Sequence, residues 1–502
     1  MLFRHGAQRR RAAPALGAFL AVLLAVGCTG DGAPAATRAV TGTCVFTFWL
    51  DDGPTATLSG CNGSTVATFG RTGAGGWTQV DSTSPTADGF SIRAPEGDYL
   101  LGVKYASFTY WEFFETASSQ FDLGANVVGR PDSAAPSSQT VATFNLSGLD
   151  PWDANDYIEL TSSGGATFKE LVYPTGAASL PAGVTSGMVA FDWYGSLSRL
   201  PDGSRGDIVY LHQDATLSIP GSGLTYQSAS RFAQLPATFV MANGMTQTVD
   251  VTLEQVPQTG SLSIDWRTSA FEQYRGDIHP NAGGLAHWLL VDGTPQRLTD
   301  KPILQPGTPD LLLMEISPGS PDQNLVDVRY GQFLPESWIE YRAVYYVATL
   351  PVTAPGAASA SGVGARIGRY DPLPSPSGPV LPLVTPPRTP RIAGVDAFQD
   401  PTAVGSTPTL SWSAPAIGAP TSYTIYIAQP MVGANGATVL RTIAYLTTGG
   451  TSMTIPTGVL QPGVAYVALI TAYVKSPDTS DHAPYHVSYP YAFASAVVTF
   501  ST

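Results

Sequence analysis

The sequence predicts an all-β protein built of several β-sandwiches. Beyond the first 27 residues, no long stretch repeats its apolar residues at helical spacing, and apolar and polar residues alternate with a period of two instead. The chain contains 52 Gly and 42 Pro, so turns are frequent. Its 502 residues are enough for two to four domains.

The net negative charge of the chain argues against some classes of binding partner. The chain has 25 basic and 38 acidic residues, which give a formal net charge of −13. Residues 1–27 contribute four of the basic residues and no acid, so the remainder has 21 basic residues and a charge of −17. A net acidic surface argues against nucleic acid as a partner and against electrostatic docking on anionic lipid.

The N-terminal residues predict export. Arginines precede an apolar run over residues 15–26, and small residues lead up to Cys28, which is the pattern of a secretory signal peptide over residues 1–27. The run is shorter than the ~20 apolar residues that a membrane-spanning helix needs. Residues 28–40 are mostly small and predict a flexible tether.

The stretch Leu23-Leu24-Ala25-Val26-Gly27-Cys28 resembles the lipobox of bacterial lipoproteins, although Ala25 stands where that family usually has Leu. The resemblance implies cleavage before Cys28, a lipid on its sulfur, and a mature protein held at a membrane of the cell envelope. Thr29, rather than Asp, follows the cysteine, and by the same resemblance this implies the outer membrane. Whether the protein faces the periplasm or the cell surface stays open.

The other two cysteines, Cys44 and Cys61, predict a disulfide in an exported protein. They flank a predicted hairpin whose turn is centred on Asp52-Gly53. Pairing about that centre sets Cys44 opposite Cys61, Phe46 opposite Ser59 and Phe48 opposite Thr57. Pro54 lacks the N–H that so tight a turn uses, so a wider loop is the alternative.

Residues 41–132 predict a small β-sandwich. The segment Phe90-Ser91-Ile92-Arg93-Ala94-Pro95, followed by Gly97 and Tyr99, resembles a strand pair of the small regulatory-type β-sandwiches attached to carboxypeptidases. Residues 105–115 are aromatic on both alternating faces. One face could offer rings to a sugar or a protein, and the alternative is core packing on one side with cross-strand packing on the other.

Residues 140–368 predict one large β domain or two β units, because length alone does not decide between them. Strand candidates cover 141–146, 157–160, 187–193, 208–211, 239–241, 249–253, 261–266, 287–291, 311–315 and 341–350. The layout, with Leu149-Asp150-Pro151-Trp152 and Arg329-Tyr330-Gly331, resembles large lipoproteins of GC-rich Gram-negative bacteria. That resemblance implies no activity.

Residues 369–391 are rich in Pro and predict an extended linker before a last module at 392–502. Trp412 on an early strand and Leu460-Gln461-Pro462-Gly463-Val464-Ala465-Tyr466 before a long strand resemble the fibronectin type III domain, an immunoglobulin-like sandwich. The resemblance implies that Trp412 packs in the core and that Tyr466 bonds back to the preceding loop. Both roles are structural.

A loop between the last two strands of this module is long and aromatic. It contains His482, Tyr485, His486 and Tyr489. Loops at the ends of such sandwiches often carry binding, so this loop is a candidate recognition edge, and a decorated turn is the alternative.

Two groups of polar residues are candidate metal sites. Residues 150, 153, 155 and 156 offer the oxygen ligands that calcium takes but lack the alternate spacing and central Gly of a calcium loop. Asp277, His279 and His287 match no standard ligand spacing. A polar turn and core or solvated histidines are favoured, so no metal and no cofactor are predicted.

The sequence contains no G-x-S-x-G, H-E-x-x-H or P-loop pattern, and no catalytic residue is predicted. The favoured hypothesis is a non-enzymatic envelope lipoprotein that acts as a surface-displayed adhesive, binding or scaffolding protein. Its expected partners are the membrane, through the lipid, and a protein or glycan ligand. The alternative is a glycan-directed envelope hydrolase with its site in 140–368 and the C-terminal module as an accessory, since acid-pair hydrolases leave no compact motif.

Overall fold

A computed structural model gives the structure of most of the chain. It describes residues 36–50, 53–59, 63–73, 75–86, 89–105, 109–162, 164, 167–170, 179–195, 198–294, 303–304, 309–375, 377–475, 481–485 and 491–502. The predicted signal peptide, Cys28 and the first part of the tether lie outside these residues. Within the described part of the chain, no helix has the length and apolar character needed to cross a membrane.

The fold is all-β, as predicted, and it is built of sandwiches. The N-terminal part forms ten strands: β1 (Thr37–Thr43), β2 (Val45–Leu50), β3 (Gly53–Ser59), β4 (Thr65–Arg71), β5 (Trp77–Thr83), β6 (Phe90–Pro95), β7 (Tyr99–Lys104), β8 (Trp111–Thr116), β9 (Gln120–Asp122) and β10 (Asn126–Val128). The sheet β6-β1-β9 faces β4, β7 and β8, and apolar residues from both sides, such as Val40, Ile92 and Leu101, form the core between them.

The hairpin β2–β3 has a different register from the predicted one. Phe46 lies opposite Leu58, not Ser59, and Phe48 lies opposite Ala56, not Thr57. The register shifts by one between Phe48 and Trp49, where Trp49 pairs with Pro54. Because Pro54 has no N–H to donate, an irregular ladder at this position is physically expected.

The middle region contributes strands to two sandwiches with different cores, and its division into one domain or two stays a prediction. Its strands are β11 (Val141–Ser147), β12 (Tyr157–Ser162), β13 (Thr167–Glu170), β14 (Ser186–Asp192), β15 (Tyr210–Ser218), β16 (Thr225–Gln234), β17 (Thr246–Thr252), β18 (Glu254–Gln255), β19 (Gly260–Trp266), β20 (Gly283–Thr294), β21 (Ile303–Leu304), β22 (Asp310–Ile316), β23 (Gln323–Tyr330), β24 (Ile339–Val352) and β25 (Ser361–Pro372). Two short helices, α1 (Thr268–Glu272) and α2 (Arg275–Ile278), follow β19.

Each middle sandwich pairs a small sheet with part of a larger one. The first has the sheet β14-β11-β17 and a core around Phe144 and Trp193, which are fully or almost fully buried. The second has β19 paired with β23, and its core includes Trp266, Phe271 and Leu289. The predicted strand at 239–241 is only a single bridge, between Asp202 and Val240.

The C-terminal part completes the fold with β26 (Pro379–Val380), β27 (Arg388–Ile392), β28 (Val395–Asp396), β29 (Thr409–Ser413), β30 (Ser422–Val432), β31 (Thr438–Thr448), β32 (Ser452–Thr454), β33 (Ala465–Val474) and β34 (Tyr491–Ser501). The sheet β28-β27-β29-β32 packs over β31, β30, β33 and β34. The predicted boundary between residues 391 and 392 falls inside β27, because Ile392 pairs with Leu410.

One sheet runs through every part of the molecule. Pair by pair, its main order is β5-β4-β7-β8-β31-β30-β33-β34-β25-β24-β20-β22-β16-β15-β12-β13. The N-terminal part joins the C-terminal part through parallel pairing of β8 and β31, and β25 joins β34. The sandwiches therefore share backbone hydrogen bonds.

The Pro-rich segment 369–391 is packed along part of its length. Its first residues belong to β25, Val380 pairs with Trp266, and Val384 and Thr385 are fully buried. The independence of the last module across this segment stays a prediction.

Candidate functional site

Three ionisable side chains meet in the first middle sandwich. Glu159 on β12 and His212 on β15 lie opposite each other in the antiparallel ladder. Asp214 follows His212 at the alternate position, so both side chains point to one face of β15. Glu159 and His212 are completely buried, and Asp214 is 1% exposed.

Their contacts centre on the imidazole. His212 Nε2 lies 3.2 Å from a carboxylate oxygen of Glu159, and His212 Nδ1 lies 3.0 Å from a carboxylate oxygen of Asp214. Neither ring nitrogen makes an aligned hydrogen bond with a described residue. The carboxylate oxygens therefore sit close to the ring nitrogens but away from the N–H axes. One ligand atom from each residue can be chosen so that all three lie within 4.8 Å of one another.

The surroundings are apolar and acidic. The ring of Phe333 lies against His212, with centroids 4.7 Å apart. Asp310, 3% exposed, donates its N–H to Glu159 over 3.4 Å. Burial raises the pKa of Glu159, and the nearby Asp310 carboxylate adds to that rise. Burial alone would lower the pKa of His212, but the adjoining carboxylates, Asp214 first, outweigh it and raise this pKa.

Sequence reasoning missed this cluster. Residues 159 and 212 are far apart in the chain, and only the β12–β15 ladder brings them together. The one local signal is the pair His212 and Asp214 at alternate positions of a strand, a spacing that is common in strands without any site.

A row of aromatic rings crosses five neighbouring strands, β20, β24, β25, β34 and β33, of the long sheet. Successive ring centroids lie 6.2, 5.8, 6.1 and 6.3 Å apart along Trp288, Tyr345, Tyr370, Phe493 and Tyr473. We call these five residues the aromatic row. The Arg366 guanidinium lies over the first two rings, at 5.7 and 5.5 Å. Trp288 and Tyr473 are half-buried, and the rings between them are buried.

A surface pocket of about 520 Å³ lies beside the two helices, and its lining includes Glu272, Arg275 and Ser320. Glu272 accepts a hydrogen bond from Gly319 N–H at 2.7 Å and contacts His287 Nε2 at 3.3 Å. Burial lowers the pKa of His287. His287 is therefore a core histidine, and the absence of a metal there stays a prediction.

The oxygen-rich turn after Leu149 is held by hydrogen bonds. Asp156 accepts from Thr216 N–H at 2.8 Å and from Gln213 Nε2 at 2.9 Å, and Asp150 pairs with Arg231. The segment is a hydrogen-bonded polar turn, and the absence of calcium there stays a prediction.

The described part of the predicted recognition loop, residues 481–485, contacts the N-terminal sandwich, which differs from an exposed edge. Tyr485 donates its hydroxyl to Glu112 and accepts one from Tyr105 at 3.1 Å. Its ring packs against Phe114, with centroids 5.7 Å apart. His482 remains half-exposed beside Asp481. His486 and Tyr489 lie outside the described residues. Tyr485 is therefore a packing residue, because its apolar ring and its hydroxyl both find partners across the junction.

The remaining predicted residues are placed as follows. Trp412 is 6% exposed and packs on Tyr423, with ring centroids 5.2 Å apart. Tyr466 is buried, and its hydroxyl accepts a hydrogen bond from Gln461 N–H at 2.8 Å, in the preceding loop. Cys44 is fully buried, whereas Cys61 lies outside the described residues, so their disulfide stays a prediction.

Comparison with known proteins adds little. No protein-family model matches the chain, and no curated protein matches it. Among solved structures, it has a weak similarity to trypsin-activated alpha-2-macroglobulin from Escherichia coli, at 10% identity and a TM-score of 0.13. The match covers 89% of this chain and 30% of that one, so the chain spans less than a third of that protein's length.

Proposed function

We propose that this protein is a lipid-anchored lipoprotein of the cell envelope that acts as a rigid scaffold and binds an envelope macromolecule, without catalysis. The observation that carries the proposal is the sheet that continues through all the sandwiches. Shared backbone ladders fix the sandwiches relative to one another, whereas modules on flexible linkers would move independently. Such a rigid body suits a protein that holds a partner at a fixed place.

We assign binding to the half-buried ends of the aromatic row, Trp288 and Tyr473, together with Arg366. Tyrosine, tryptophan and arginine are the side chains enriched at the centres of protein interfaces, and Trp288, Tyr473 and Arg366 include all three. The same rings suit the apolar face of a sugar. The proposed C-terminal fibronectin type III identity, with Trp412 and Tyr466 in structural roles, adds no reaction to this proposal.

The lipid anchor at Cys28 supplies the location, and the predicted outer membrane follows from Thr29. The disulfide between Cys44 and Cys61 belongs to the same proposal, since disulfides persist in exported proteins.

One experiment distinguishes binding of an envelope macromolecule from its hydrolysis. Purified full-length protein with Cys28→Ser is incubated with isolated envelope glycan and, separately, with solubilised envelope proteins. We expect saturable retention by one of them and no release of reducing ends. Release of reducing ends would support the glycan-directed hydrolase instead, and no retention by either material would contradict the binding role.

The surface is tested with matched variants. Trp288→Ala combined with Arg366→Ala removes two members of the assigned surface, and we expect retention to fall. Tyr194→Ala is the control, because Tyr194 is 53% exposed on a different part of the molecule. Equal retention by all three proteins would show that the aromatic row is not the contact surface.

A further inference from the structure

We propose that Glu159, His212 and Asp214 bind one divalent transition-metal ion of the Zn²⁺ or Mn²⁺ type. The site is independent of the aromatic row, and it does not rest on the binding function proposed above. It would stabilise the first middle sandwich from inside, at the end of the long sheet.

The spacing of the donor atoms fits coordination. Two ligands that each lie about 2.1 Å from an ion are roughly 3.0–3.4 Å apart in octahedral or tetrahedral geometry. The two contacts of His212 are made by different ring nitrogens, 3.2 Å from Nε2 to Glu159 and 3.0 Å from Nδ1 to Asp214, so whichever nitrogen binds the ion has one carboxylate oxygen at this spacing. The three chosen ligand atoms lie within 4.8 Å of one another, so small side-chain rotations would bring them onto a common ion.

The direction of the contacts favours an ion over two hydrogen bonds. When a carboxylate oxygen and a ring nitrogen bind the same ion, the oxygen lies to the side of the nitrogen's N–H axis and not along it. Neither nitrogen of His212 makes an aligned hydrogen bond with a described residue despite the short distances, so the nitrogen that faces the ion has this arrangement. A buried histidine whose role was to donate to two carboxylates would be expected to align with them.

The charges suit a dication at a fully buried position. A neutral imidazole and two carboxylates carry the charge that a divalent ion neutralises, and a neutral assembly avoids much of the cost of burying charge. A mixed set of imidazole nitrogen and carboxylate oxygen is the donor type of zinc and manganese sites.

The test begins with the full-length protein, purified without chelators and analysed for metal by mass spectrometry. We expect one Zn²⁺ or Mn²⁺ per chain. Stripping with a chelator should lower the melting temperature, and adding back the ion should restore it. Replacement by Co²⁺ should give visible absorption bands that report nitrogen and oxygen ligands.

The variants separate a ligand from a merely structural residue. Glu159→Gln and His212→Ala should each lose the bound metal and the response of the melting temperature to added Zn²⁺. His287→Gln is the matched control, because His287 is also buried and also contacts a glutamate, and it should keep both. If a variant fails to fold, the metal content and Co²⁺ spectrum of the wild-type protein still show whether the chain binds a metal ion. A wild-type protein that is metal-free and unresponsive to Zn²⁺, Mn²⁺ and Co²⁺ would overturn the proposal and leave an ion-paired histidine.

Discussion

Trp412 is a single side chain whose removal should unfold a module. It is almost fully buried and packs on Tyr423 between the two sheets of the C-terminal sandwich. We expect Trp412→Ala to cost about 3–5 kcal/mol, from lost burial and the cavity that remains. Urea unfolding followed by circular dichroism measures this, and a loss below 1 kcal/mol would place Trp412 outside the core.

Tyr485 and His482 lie three residues apart and should respond in opposite ways. Tyr485→Phe removes the hydroxyl that bonds Glu112 and leaves a half-buried carboxylate with one donor fewer, so we expect a cost of about 1–3 kcal/mol. His482→Ala changes a half-exposed side chain and should be nearly neutral. Thermal melting of both variants is the measurement, and equal melting temperatures would contradict the docking of this loop.

Glu112 should make stability depend on pH. Burial raises its pKa in the folded protein, and the hydrogen bond from Tyr485 opposes part of that rise. The folded state therefore binds the proton more tightly than the unfolded chain does. The contribution to stability is fully present below the carboxyl's ordinary pKa and is lost as the pH rises through the raised one.

The variant Glu112→Gln should flatten this dependence and gain relative stability at neutral pH. Glu115→Gln is the control on the opposite face of β8, where Glu115 bonds Thr448, and it should keep the slope. Urea midpoints from acidic to neutral pH provide the test. An unchanged slope in Glu112→Gln would mean that Glu112 does not titrate differently in the folded protein.

At the scale of elements, the hairpin β2–β3 leads to a prediction about its flanking cysteines. A bridge between Cys44 and Cys61 closes a loop for which the chain-entropy model gives about 3 kcal/mol. We expect mass spectrometry of unreduced peptides from exported protein to find the two residues linked. Two free thiols would refute the bridge.

The strands that are predictable from the sequence differ in residue composition from those that are not. β11, β19 and β24 have apolar residues in alternation and were predicted with boundaries close to those observed. β25 was missed because Gly362, Gly364 and Gly368 are poor strand formers. A Cβ on Gly368 would lie 3.0 Å from atoms of Phe493 and Tyr345, so this glycine makes room for the aromatic row.

The pairing of β25 with β34 bears on how independent the last module is. A fragment of residues 388–502 contains all the strands of the C-terminal sandwich and is expected to fold alone. A fragment of residues 361–502 adds β25, which covers the edge of β34 over Ile367 to Tyr370. We expect the longer fragment to melt at a higher temperature, because an exposed edge loses its backbone partners. Equal melting would support the predicted linker as a true boundary.

At the scale of the whole molecule, Cys28 should decide where the protein is found. The basic start, the apolar run and the small residues before Cys28 predict a lipid anchor. We expect Cys28→Ser to release the protein from the membrane fraction or to block processing. Fractionation and intact mass are the measurements, and a variant that stays in membranes with the same lipid mass would exclude this anchor.

The whole molecule also explains why function was harder to predict than fold. Alternation and turn residues act locally, so they predict strands directly. The cluster of Glu159, His212 and Asp214 depends on which strands become neighbours, and the aromatic row spans five strands from three stretches of the chain. Strand order is decided by tertiary packing, which one sequence does not reveal.

The parallel pairing of β8 with β31 has a consequence for the time course of folding. Glu115 and its partner Thr448 at this junction are separated by 333 residues in the chain. Contacts so distant in sequence form slowly, because closing a long loop costs entropy before the strand pairing contributes any stabilisation. During synthesis β8 is complete long before β31 has been made. The edge of β8 that pairs with β31 therefore has no partner strand during that time. Folding chains should therefore depend on chaperones that shield this edge until the partner strand is available.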